Sequence, residues 1–129
     1  MKKILCILQN AWGPYKCPII FEPNPYNKSA RMIKKIAGDN YFVFSNTTDE
    51  VTPTASGHAK PNYEHFQKVI NQIPNFDIVL VCGAQAKKTV EKYINEINKF
   101  NKPIIFIPHP ARCLSNKKCE EIKQYIDSL

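Results

Sequence analysis

The residues best suited to chemistry lie in one short run, Pro108-His109-Pro110-Ala111-Arg112-Cys113-Leu114-Ser115. A histidine held between two prolines has little freedom to turn away. An imidazole so placed can donate a hydrogen bond to negative charge as it develops. Arg112 and Leu114 put a cation and an apolar wedge on the same loop, which suits gripping a phosphodiester backbone and filling a gap in a base stack. Ser115 precedes a helical pattern, where it can cap the helix and leave free N–H groups for a phosphate. The plainer reading is a structural loop that ends in a capping serine.

Two other segments carry amides and aromatics. In Gln9-Asn10-Ala11-Trp12-Gly13-Pro14-Tyr15, the side chains of Gln9 and Asn10 are no strong bases, but they can position a water or meet a substrate. Trp12, Tyr15 and Phe21 can stack on a base, or can cover a core edge in a proline-rich turn. In Ser45-Asn46-Thr47-Thr48, the two-faced amide of Asn46 can read the edge of a pyrimidine or simply close an Asx turn. Gly83, in Cys82-Gly83-Ala84-Gln85-Ala86, permits a tight strand-to-helix turn, but the run is neither a GxGxxG nor a Walker loop. His109, Cys113 and Cys119 match no common zinc spacing, and neither a metal nor a cofactor is expected.

The elements that must position these residues follow from apolar patterning. Runs at 4–8, 41–45, 78–82 and 104–107 are rich in Ile, Val and Phe with little alternation, the pattern of parallel strands covered on both faces. Helical spacing appears at 27–37, ending at Gly38, and at 62–73, 84–100 and 116–129. The resulting β-α-β-α-β-α-β-α order implies an α/β fold, a three-layer α/β/α sandwich around a four-stranded parallel sheet. The segments 10–26 and 46–61 read as long irregular loops. Both follow strand C-termini, as does 108–115, so three loops converge on the edge where open α/β sheets bind ligands.

Composition bounds the rest. The chain has 129 residues, enough for one domain with a real core, and a 43% hydrophobic fraction typical of globular proteins. Its net charge of +7 favours polyanionic partners, nucleic acid first, although abundant Lys and Asn can also reflect an AT-rich genome. Five cysteines without a CxxC pair argue against a disulfide scaffold and a secreted protein. No run approaches a membrane span of about 20 residues. An intracellular, cytoplasmic monomer is expected.

With these segments in order, the whole chain resembles the uracil-DNA glycosylase superfamily as a single domain. Gln9-Asn10-Ala11-Trp12 is similar to the first motif of that family, nearest its mismatch-specific uracil/thymine branch. Asn46 is similar to the base-reading Asn near the end of the second strand. Gly83-Ala84-Gln85-Ala86 resembles the Gly-x-x-Ala after the third, and His109-Pro110-Ala111-Arg112-Cys113-Leu114-Ser115 resembles the final His-Pro-Ser-x-x-Ser loop. The departures are an amide where the most active branch has Asp, Ala111 for Ser, and one extra residue before Ser115. The cysteines lack the spacing of the iron–sulfur branch.

The resemblance implies DNA as partner and hydrolysis of the N-glycosidic bond of a flipped pyrimidine. Asn10 would orient water and His109 would donate to the departing base. Gln9, Tyr15, Phe21 and Asn46 would bind the base, and Arg112, Leu114 and Ser115 the DNA. Two alternatives stay open: a non-catalytic DNA-binding module of the same fold, and an enzyme acting on nucleosides or nucleotides.

Overall fold

The computed structural model describes residues 1–9, 11–12, 18–52, 60–112 and 114–129. In chain order the elements are β1 (Lys3–Leu8), β2 (Ala11–Trp12), α1 (Lys28–Ala37), β3 (Tyr41–Asn46), β4 (Val51–Thr52), α2 (Tyr63–Ile70), β5 (Ile78–Cys82), α3 (Ala84–Lys92), α4 (Ile94–Asn98), β6 (Ile104–Ile107) and α5 (Asn116–Ser128). The apolar runs form one parallel sheet in the order β3-β1-β5-β6.

Both faces of β1, β3 and β5 are covered, which is why these strands need not alternate, whereas on the edge strand β6 Phe106 is exposed. Ile4, Cys6, Phe42, Phe44, Leu80 and Cys82 pack beneath α1 and α5, with Ile33, Ile36, Ile122 and Ile126. Leu5, Ile7, Val43, Val79 and Val81 pack against α2, α3 and α4, through Phe66, Val69, Val90 and Ile97. The caps follow the sequence. Asn27 accepts from the N–H groups of Ser29 and Ala30, Ser115 accepts from Lys118, and Gly38 ends α1 at φ 60°.

Two expected helices are shorter than their periodicity suggests. The second ends at Ile70, and Pro74 sits in a separate 3₁₀ turn at Ile73–Asn75. Proline has no N–H and disfavours helix in the residue before it. The third breaks at Tyr93, φ −111° and ψ 22°, where the ring lies 5.1 Å from Tyr63 and 5.7 Å from Phe66. That packing gives a local reason for the break. The two long loops are also less irregular than expected. Ala11 pairs with Val51 and Trp12 with Thr52 in a small parallel sheet of β2 and β4.

The strand order creates a switch point. From β1 the chain moves outward to β3, then crosses back to place β5 on the other side of β1. Connections therefore diverge from the C-terminal ends of β1 and β5, the place where open α/β sheets form a crevice.

Candidate functional site

The first wall of the crevice joins the ends of β1 and β3. The Thr47 N–H donates to the carbonyls of Leu8 and Gln9, both at 3.0 Å. The Thr47 hydroxyl donates to the Gln9 carbonyl at 2.7 Å. The Thr47 carbonyl in turn accepts from the Asn62 N–H at 3.1 Å, tying in the start of α2. Asn46 sits in register with Leu8 and is only 1% exposed. Two residues from Phe44, its side chain falls on the same face of the sheet. Phe21 reaches that face from outside: it forms an antiparallel bridge with Phe44 through two 3.0 Å hydrogen bonds. The two rings lie 5.9 Å apart. Phe21, Leu8 and Asn46 thus line one side of the sheet near the edge. Asn10 and Tyr15 fall outside the described residues, as does Cys113. The pairing of β2 with β4 still brings the backbone beyond Asn10 beside the segment that follows Asn46.

The second wall is His109. Gly83 adopts φ +91°, and a β-carbon there would stand 3.4 Å from His109 Cδ2 and 3.5 Å from His109 Cβ. The positive φ favours a glycine, and at these distances an added β-carbon would be in ordinary contact with the ring, so the imidazole simply packs on this turn. The Gly83 N–H donates to the Ile107 carbonyl at 3.0 Å, which fixes the end of β5 against the end of β6. The Ala111 N–H donates to His109 Nδ1 at 3.2 Å. A backbone N–H can only donate, so Nδ1 carries no proton, and the neutral ring holds its proton on Nε2. Burial lowers the pKa of this histidine, and the Arg112 charge lowers it further. The site is therefore built around a neutral imidazole whose Nε2–H is a donor.

The rest of that loop divides by exposure. Arg112 is exposed, and its N–H donates to the His109 carbonyl at 3.1 Å. Ser115 Oγ accepts from the Lys118 N–H at 3.1 Å, capping α5. Leu114 corrects the expectation of a wedge. It is 8% exposed and belongs to the core beneath α1 and α5. Its apolar side chain anchors the loop instead of projecting from it.

The sequence reading missed His65. This side chain is 7% exposed on α2, among Phe66, Val69 and Ile70. It hydrogen-bonds the Asn46 backbone, so a second imidazole supports the base of the Asn46 turn. Its Nε2 is buried with no hydrogen-bond partner among the described residues. Burial lowers its pKa most strongly; the Asp49 charge and the Asn46 hydrogen bond push it up, and Lys68 pushes it down. Asp49 also accepts from Asn62 Nδ2 at 3.3 Å. The available signal was a polar residue at position 65, four residues before Val69 on the inward stripe of the helix.

Among the described residues, exposed cations outnumber carboxylates around this edge. Lys60, Lys87, Lys88, Arg112, Lys117 and Lys118 are exposed on segments that begin here, beside the exposed Asp49, Glu50 and Glu64. Neither α3 nor α5 has an acidic residue in its first turn, so their amino ends keep their positive potential. Among the described residues no three of His, Cys, Asp and Glu gather as a metal-binding group. The Cys119 thiol donates to the Met32 carbonyl at 3.9 Å, within the α1–α5 layer. The chain matches no protein-family model, no curated protein and no solved structure.

Proposed function

We propose that this crevice is a DNA-base excision site of the uracil-DNA glycosylase type, carried on a uracil-DNA glycosylase-like fold. One observation carries the reading most directly: the ring of His109, packed on Gly83, is held as a neutral Nε2–H donor by the Ala111 N–H. A donor of this kind is what a departing base anion requires. The four-stranded parallel sheet and the switch point between β1 and β5 support the same reading.

On this reading the target nucleotide leaves the stack and enters the crevice, at a cost of a few kcal/mol. Phe21 offers a stacking surface and Asn46 an amide for the base edge. The bond between the sugar C1′ and the base nitrogen breaks, and its electron pair leaves with the base. His109 Nε2–H hydrogen-bonds the O2 oxygen of that anion. Water, oriented by Asn10, adds to C1′ and gives up a proton, which balances the free base. Arg112 and the Ser115-capped start of α5 hold phosphate. The protein works as an intracellular monomer on DNA.

A second reading, a DNA-binding module without catalysis, is favoured by the amide of Asn10 where the most active branch has a carboxylate. Labelled oligonucleotides carrying uracil, mismatched thymine or hydroxymethylated pyrimidines, treated with alkali after incubation, separate the two. Strand cleavage that disappears in His109→Ala and Asn10→Ala supports excision. Salt-sensitive binding without cleavage selects the module. Absence of DNA binding at low salt removes both and leaves a nucleoside or nucleotide enzyme.

A further inference from the structure

We infer that the groove between α1 and the proline segment 22–26 is a docking site for an acidic peptide that carries an apolar anchor side chain. The inference is independent of the excision site. The groove contains a cavity of about 350 Å³ lined by Pro23, Pro25, Ala30, Arg31, Lys34 and Phe42. That volume lies within the range of ligand-binding clefts.

Its walls are preformed. The Asn24 side chain accepts from the Tyr26 N–H at 3.0 Å, and its carbonyl accepts from the Asn27 N–H at 2.9 Å. Asn27 then caps α1. Pro23 and Pro25 have fixed φ and no N–H, so this wall is stiff and offers no backbone donor at either position. Lys34 Nζ donates to the Gly38 carbonyl at 2.7 Å, which holds the lysine stem along the groove.

The helix wall of the cavity carries charge of one sign, while the exposed Glu22 stands on the proline side. Lys28, Arg31, Lys34 and Lys35 lie on α1, and the helix contains no acidic residue. The carboxylate of the neighbouring Glu22 accepts from the Tyr41 hydroxyl at 2.6 Å. Beside Pro25, Tyr26 is 87% exposed. An exposed tyrosine and an arginine beside an apolar cavity are the residue types that carry most of the energy in protein interfaces.

The apolar character of Pro23, Pro25, Ala30 and Phe42 decides between acidic ligands. A nucleobase seated there would leave the polar groups of its edge without partners. A leucine or phenylalanine side chain loses nothing of that kind. Flanking Asp and Glu residues then meet Arg31 and Lys28.

The test uses the full chain and a fluorescein-labelled acidic peptide, Asp and Glu around a central Leu-Phe pair, followed by anisotropy and by amide chemical shifts. The expected result is saturable binding that shifts Ala30, Phe42 and Tyr26. It should weaken at least about tenfold in Arg31→Glu and in Tyr26→Ser, and also when Leu-Phe is replaced by Ser-Ser. Both substitutions are on the surface, and retained shifts elsewhere report an intact fold. Lack of binding up to about 1 mM, or binding indifferent to all three changes, overturns the inference. So does a DNA oligonucleotide that moves these resonances when the peptide does not.

Discussion

Two histidines bracket the crevice and are handled in opposite ways. His109 lies on a loop and accepts a backbone N–H at Nδ1, so its donor is Nε2–H. His65 lies inside a helix layer and hydrogen-bonds the Asn46 backbone, while its Nε2 is buried without a partner among the described residues. Burial lowers the pKa of both. The difference teaches that burial alone does not make a histidine chemically useful; the partner on the first nitrogen decides what the second can do. His109 keeps Nε2–H as its donor, and His65 hydrogen-bonds the turn that carries Asn46.

The largest effect should come from the His109 side. Gly83→Val forces a β-branched residue into φ +91° against the imidazole. Urea unfolding should show a loss of about 1–3 kcal/mol from backbone strain, with further loss from the displaced ring. A variant as stable as the parent would break the claim that the turn at position 83 needs a glycine.

The next effect is an acid slope to which both rings contribute with the same sign. A histidine whose folded pKa lies below its unfolded value of 6.5 is neutral in the folded state, while the unfolded chain still takes up a proton. Its contribution to stability is complete above about pH 6.5 and declines below that value, until the folded ring itself titrates. His65→Leu should flatten this acid slope, which for one proton is at most about 1.4 kcal/mol per pH unit. It removes both the unpartnered nitrogen and the hydrogen bond to Asn46, and the variant's stability relative to the parent should rise as the pH falls from about 7 to 5. An unchanged slope between pH 5 and 7 would contradict the assignment.

Two helix caps give a smaller and more discriminating pair. Asn62 accepts from the His65 N–H at 3.2 Å, and Ser115 from the Lys118 N–H at 3.1 Å. Asn62→Ala and Ser115→Ala should each cost about 1 kcal/mol in thermal or chemical unfolding. Only Ser115→Ala should also weaken DNA binding measured well below its melting temperature. The smallest effect belongs to Lys117→Gln. It should leave stability within about 0.5 kcal/mol and lower the salt slope of DNA binding by about 1.

Much of the framework was legible because its physics is local or periodic. The sheet strands announce themselves as apolar runs, and Asn27, Gly38 and Ser115 mark helix ends by their own chemistry. Gly83 was legible as a turn residue, but not as the seat of His109, because that contact joins positions 26 residues apart. The pairing of β2 with β4 had no signature, since a two-residue ladder is set by backbone geometry. Tyr93 interrupts a periodic helix for the sake of ring contacts that only the folded chain provides. Leu114 misled for the same reason: two residues after Arg112 it resembles a wedge, yet in the folded chain it is buried in the core beneath α1 and α5. His65 hid on an inward stripe because Asn46, its partner, is 19 residues away.

The most direct test is nitrogen-15 NMR of the imidazoles at pH 7, with and without the free base uracil. The account predicts a neutral His109 protonated on Nε2, with added uracil shifting His109 and Gly83 and leaving the His65 ring signals in place. A positively charged His109, a proton on its Nδ1, or a base that moves neither His109 nor Gly83 would contradict it.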